Sequence, residues 1–181
     1  MSRSLVFVLL LSVVSVAQAN PLGRAFFGGG YSYATVDTEA YGEFNLGSLD
    51  IAGGMMFNDY LGFDARLGFG VKNDEKTVPI SVLNAKVKTR ISNYYGIYLR
   101  PQYQMGAFQA YGLFGYAGAD VELEVEDTDL NDFGSDSGTS YGVGVGLSPD
   151  GSLFINLEYL NMISGKDYDF SGINLRAEFK L

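Results

Sequence analysis

The sequence has no cysteine, no histidine and no tryptophan, and only 4 prolines among 181 residues. Without cysteine there is no disulfide, no thiolate nucleophile and no thiolate metal site. Without histidine the commonest general base and metal ligand is missing, so any catalysis would rest on a lysine or a carboxylate. No Gly-x-Ser-x-Gly turn and no phosphate-cradling glycine motif occurs either. The chain therefore reads as a non-enzyme with no cofactor. Beyond its first 19 residues, no stretch approaches the ~20 apolar residues that a transmembrane helix needs. Positive charge is also scarce: 12 Lys and Arg face 21 Asp and Glu, for a net charge of −9. That balance argues against nucleic acid as a partner and against a basic membrane-surface patch. What the chain has in quantity is glycine (24), tyrosine (13) and phenylalanine (13).

Residues 1–19 read as a cleaved signal peptide. Arg3 supplies the positive start, Leu5 to Val16 the apolar run, and Ala17-Gln18-Ala19 the small-x-small cleavage site. An anchoring helix would need a longer run and flanking stop-transfer charges. Residues 20–181 are then one exported domain. If it lives in a membrane it must do so as a closed barrel, the only strand architecture that satisfies every backbone hydrogen bond there.

The final ten residues carry the clearest pattern. Ile173, Leu175, Ala177, Phe179 and Leu181 alternate with Asn174, Arg176, Glu178 and Lys180. Period two means a strand with unlike faces. Similar alternation marks strands over 24–35, 45–57, 61–71, 87–99, 109–123, 139–147 and 153–162, giving eight with the terminal one. In all eight the better apolar face falls on odd numbers. Proline in Arg100-Pro101 is expected to end the fourth. Connections alternate in length: short near Asn58-Asp59, Pro101–Ala107 and Pro149-Asp150, longer over 36–44, 72–86, 124–138 and 163–171. Short turns on one rim and long loops on the other belong to an outer-membrane barrel. The expected fold is an all-β, eight-stranded antiparallel up-and-down transmembrane β-barrel.

With signal, strand count and apolar last strand in place, the chain resembles the small eight-stranded outer-membrane barrel family typified by the OmpA transmembrane domain. The similar motifs are Phe27-Gly28-Gly29-Gly30-Tyr31, Ala110-Tyr111-Gly112-Leu113-Phe114-Gly115 and Gly172–Leu181. The resemblance implies residence in the outer membrane of a Gram-negative bacterium, with outer-membrane lipid and the assembly machinery as partners. It also implies that the terminal strand, through Gly172, Leu175, Ala177, Phe179 and Leu181, is an assembly signal. Here the last residue is Leu181, with the aromatic two places earlier.

The even faces collect the charges Asp64, Arg66, Lys88, Arg90, Asp120, Glu122, Glu158, Arg176 and Glu178. An eight-stranded lumen barely holds its own side chains, so these are expected to interlock as a structural plug. Arg66, Glu158 and Arg176 are expected at its middle, with Glu158 opposite Arg176 if the last hairpin is centred near Asp167. Tyr31, Phe57, Tyr60, Phe63, Tyr95, Tyr111 and Tyr159 read as an interfacial aromatic girdle. The acidic loop with Asp127, Asp129 and Asp132 departs from the calcium-loop pattern, and a solvated loop is the expectation rather than a metal site. The functional expectation is a monomeric barrel with a plugged polar interior, acting in envelope integrity or surface contact through acidic loops. The alternatives are an adhesin-type binder of an unknown extracellular partner, a small-solute pore, and a soluble lipocalin-like carrier with its apolar face turned inward.

Overall fold

The computed structural model describes the backbone of residues 24–38, 42–72, 74–80, 83–125, 131–164 and 168–181. Side chains are described for 24–35, 45–72, 92–120, 135–162 and 170–181, and the expected signal peptide lies outside these residues. The strands are β1 (Arg24–Thr38), β2 (Gly42–Met56), β3 (Leu61–Lys72), β4 (Asp74–Ile80), β5 (Leu83–Met105), β6 (Phe108–Val125), β7 (Asn131–Leu147), β8 (Leu153–Ser164) and β9 (Tyr168–Lys180). Each pairs antiparallel with its neighbour. Pairing of β1 with β9 and of β3 with β5 closes the sheet on itself. β3 and β4 pair successive lengths of β5, Phe69 opposite Asn93 and then Asp74 opposite Thr89, and so form one wall strand. The result is a closed eight-stranded antiparallel β-barrel.

Several expected boundaries move. The strands run on into the connections expected over 36–44, 124–138 and 163–171: β1 ends at Thr38 and β2 starts at Gly42, β6 ends at Val125 and β7 starts at Asn131, and β8 ends at Ser164 and β9 starts at Tyr168. Much of the stretch 72–86, expected as a connection, is strand: Asp74–Ile80 pairs with β5, which starts at Leu83. Pro79 is tolerated because, among the described residues, β4 pairs on one side only. Nor does Pro101 end its strand, since β5 runs on to Met105. The ladder with β6 omits Arg100 and Pro101 and resumes with Gln102 opposite Tyr111 in unchanged register.

Sidedness follows from register, because residues opposite each other point to the same face. Odd pairs with odd across the seam (Phe27 with Phe179) and between β3 and β5 (Phe63 with Leu99). β6 is different. Gly106-Ala107 is a two-residue turn, with Gly106 at a φ of 59° that favours glycine, and it places Met105 opposite Phe108. Odd then meets even, so Leu99 faces the same way as Phe114. Over this length the expected odd apolar face is overturned: Gln109, Tyr111 and Leu113 point inward, while Phe114 and Tyr116 are exposed outside. Tyr111 therefore leaves the expected girdle.

Elsewhere the odd face is the outer one. Ile51, Ile97, Val143, Leu157 and Leu175 are exposed, while Asp50, Tyr98, Gly144, Glu158 and Arg176 are buried. A soluble calyx would have the opposite arrangement, so the carrier alternative fails on orientation. Phe27 and Phe179 stack across the closing seam with ring centroids 5.4 Å apart. Inside, towards the long connections, Ala34, Leu46, Tyr94, Leu160, Met162 and Phe170 make an apolar layer. Nearer the short turns the lumen is polar and charged.

The short-turn rim is tied by side chains. Asn58 Oδ1 accepts from the N–H groups of Tyr60 and Leu61, both at 2.8 Å. Asp150 Oδ1 accepts from Leu153 at 3.0 Å and Ser152 at 2.9 Å, and these bonds hold its exposed carboxyl below the usual aspartate range. A lowered folded-state pKa means that this turn is stabilised fully above the unfolded value and loses that support as pH falls through the folded one. In an NMR titration the Asp150 carboxyl should give a midpoint below that of a blocked aspartate peptide, and Asp150→Asn should abolish the associated acid-side loss of stability.

Adjacent glycines on opposite faces give a second test. A methyl on Gly54 would overlap the Phe63 carbonyl and the Phe26 ring, whereas one on Gly53 would find its nearest atom at 3.8 Å. Gly54→Ala is expected to destabilise the barrel by about 1–3 kcal/mol. Gly53→Ala should stay within about 0.5 kcal/mol. Urea unfolding in detergent micelles measures both.

Candidate functional site in the barrel lumen

Among the described residues, seven buried charged side chains from five strands gather in the lumen: Asp50 on β2, Asp64 and Arg66 on β3, Arg100 on β5, Glu158 on β8, and Arg176 and Glu178 on β9. Glycines beside them make room for tyrosine rings in the same space. A Cβ at Gly144 would meet the Tyr111 ring, and one at Gly68 the Tyr94 ring.

Arg66 is the best-satisfied cation. Its Nε and Nη2 donate to the two oxygens of Asp64 at 2.8 and 3.0 Å, and Nη1 and Nη2 donate to Glu158 at 2.8 and 3.1 Å. Both contacts are forked, the geometry in which a planar guanidinium binds carboxylates most strongly. Tyr111 Oη donates to Glu158 Oε1 at 2.6 Å, and Arg66 lies 5.2 Å from the Tyr98 ring centre. Arg100 makes a second fork, to Glu178 at 2.7 and 3.0 Å. Its guanidinium sits between the rings of Tyr111 (4.0 Å) and Phe26 (4.5 Å), where cation–π attraction adds to the pairing. Arg176 donates to Asp50 Oδ1 at 2.8 Å, and Asp50 also receives the Asn174 amide and, at 3.3 Å, the Ser32 hydroxyl. Arg176 Nη1 lies 3.5 Å from Glu158 and 3.7 Å from Asp64, close enough for charge attraction but without a hydrogen bond.

Asp64, Arg66, Glu158, Arg176 and Glu178 thus lie together in the lumen. The expected facing of Glu158 and Arg176 is corrected. Glu158 is opposite Asn174 and Arg176 opposite Asn156, because the hairpin is centred one residue earlier. Arg176 reaches Glu158 diagonally through the length of its side chain. Asp120 is corrected too: it is exposed, on the strand whose facing the Gly106-Ala107 turn has inverted. Lys88, Arg90 and Glu122 lie in β5 and β6 with side chains outside the described residues. Of the acidic loop, Asp127 and Asp129 lie outside them altogether, and for Asp132 only the backbone is described, opposite Leu123 on β6.

Asp50 and Arg100 belong to the network but not to the charges first assigned to it. Asp50 carried the signal, standing on the even face of its strand among Ala52 and Gly54. Arg100 was hidden by the expectation that its strand ended at Pro101. In the terminal strand Leu175, Phe179 and Leu181 are exposed and Ala177 partly so, whereas Gly172 pairs with fully buried Ala34 and belongs to the inner face.

A family model described as the outer membrane protein beta-barrel domain matches residues 4–180. The chain belongs to this family. No curated protein matches the sequence significantly. Among solved structures it is similar to Ail, the attachment invasion locus protein of Yersinia pestis, at 17% identity and a TM-score of 0.62, covering 88% of this chain and 99% of that one. OprG of Pseudomonas aeruginosa gives 12% identity and a TM-score of 0.63, covering 88% and 96%. Neisserial surface protein A gives 13% identity and a TM-score of 0.57, covering 87% and 97%. At these identities the likeness is one of fold.

Breaking a buried ion pair strands its partner in low dielectric and costs about 3–5 kcal/mol. Glu158→Gln, which leaves Arg66 and Arg176 short of a counter-charge, should lower unfolding stability by about that amount. Asp120→Asn, on the exposed side, should change it by less than about 0.5 kcal/mol. Urea midpoints of refolded protein in one detergent compare the two.

Proposed function

We propose that this is a closed-lumen outer-membrane barrel that works in envelope integrity and surface contact rather than by passing solutes. The observation that supports the reading is that side chains fill the lumen at two levels. Forked arginine–carboxylate pairs fill its middle, and the apolar layer of Leu46, Met162 and Phe170 lies between them and the long-connection rim. An ion entering this path would meet desolvation at one level and occupied charges at the next. On this reading residues 1–19 are removed on export, the terminal strand guides insertion by the assembly machinery, and the barrel stands as a monomer in outer-membrane lipid.

The long connections are where a surface role would reside. Glu39 falls between β1 and β2, with Asp37 and Glu43 paired at the strand ends beside it, and Glu126, Asp127 and Asp129 fall between β6 and β7, with Glu124, Asp132 and Asp136 in the flanking strands. The Ail structure was determined with sucrose octasulfate, a heparin analogue. The net charge of −9 here disfavours such a polyanion and favours a cationic surface as any extracellular partner.

In planar bilayers the purified barrel should show no stable conductance. Arg66→Ala alone should not produce one either, because the apolar layer remains. A large, permanently open conductance of the unaltered protein would overturn the reading in favour of a pore.

A further inference from the structure

Lys180 is the exception among the inward-reaching cations. Arg66, Arg100 and Arg176 each have a carboxylate oxygen within 2.8 Å. Lys180 Nζ is held instead by two neutral amide oxygens, Gln104 Oε1 at 2.7 Å and Gln109 Oε1 at 2.8 Å, and makes no ion pair among the described residues. It sits 4.1 Å from the Phe154 ring centre, with the side chain only partly exposed. An ammonium has three donors, and here two are used.

The same side chain lines a cavity of ≈ 760 Å³ at the short-turn mouth. Phe57 and Tyr60 of the neighbouring turn, the Arg24–Asp59 ion pair and the Gln102 carboxamide also line it. Gln102 is 9% exposed, and its buried Oε1 has no hydrogen-bond partner. Two residues inward from Gln102 and Lys180 lies the Arg100–Glu178 fork. An ammonium with no carboxylate partner among the described residues and an orphan acceptor therefore meet in one recess. Convergent polar groups in a recess that also offers apolar surface are what a small-ligand site consists of.

We propose that this mouth binds a small amphipathic carboxylate that carries an amide N–H. Its anionic end lies on Lys180, its N–H reaches Gln102 Oε1, and its apolar body rests against Phe57 and Tyr60 at the rim. The charge-assisted contact dominates, so the neutral amide of the same molecule binds poorly. The site faces the short-turn side, away from the long connections, and is separate from any surface role.

The probe is hippurate, compared with neutral hippuramide, on full-length mature protein in non-ionic micelles, with ¹³C-methyl methionine observed by NMR. Met56 lines the mouth, whereas Met162 lies in the apolar layer at the other end and serves as the internal control. Hippurate should shift the Met56 methyl saturably and leave Met162 in place. Hippuramide should bind at least tenfold more weakly, and Lys180→Gln should weaken hippurate at least tenfold with heat-modifiable migration unchanged. A Met56 methyl that does not respond, an equal response to both probes, or full affinity in Lys180→Gln would overturn the proposal. Should that variant fail to fold, the two probes on the unaltered protein still decide.

Discussion

In hydrocarbon an unpaired backbone N–H or C=O costs several kcal/mol, and the rest of this structure depends on that penalty. The wall meets it by closing on itself, with β1 paired to β9 from Phe26–Lys180 to Thr38–Tyr168. Closure fixes register, and register fixes which side chains are enclosed. Once Phe27 lies opposite both Gly53 and Phe179, neither Arg176 nor Asp50 can avoid the lumen. The charge network is thus a product of the ladder as much as of its own attractions.

Given enclosure, the seven charges must satisfy one another, because water has little access and a lone buried ion is costly. The outcome is layered. Arg66 uses its donors on two carboxylates contributed by different strands, and Arg100, forked to Glu178 with Asp64 3.6 Å away, lies between two aromatic faces. Arg176, with one hydrogen bond and two longer ion contacts, is the least satisfied member. The apolar layer beyond them needs no such arrangement.

Much of this was legible in the sequence, for a simple reason. A strand buried on one face and exposed to lipid on the other writes its period directly, as Ile173 to Leu181 does, and strand existence and the even-numbered location of Asp64, Arg66, Glu158 and Arg176 follow from it. The parity of β6 was not legible. It depends on whether the turn before it holds two residues or three, and Pro101 drew the expected strand end several residues too early. That single offset carried Tyr111 to the inside and Asp120 to the outside. The facing of Glu158 and Arg176 failed similarly, since one residue in the centre of a hairpin moves a pairing by two positions while leaving the face unchanged.

Two of the aromatic rings inside the barrel occupy the space that a glycine leaves empty, Tyr94 over Gly68 and Tyr111 over Gly144. Such couples are heritable units of volume rather than of chemistry. A lineage can move the ring to one strand and the void to its neighbour, conserve the filling of the barrel and change both letters of the sequence.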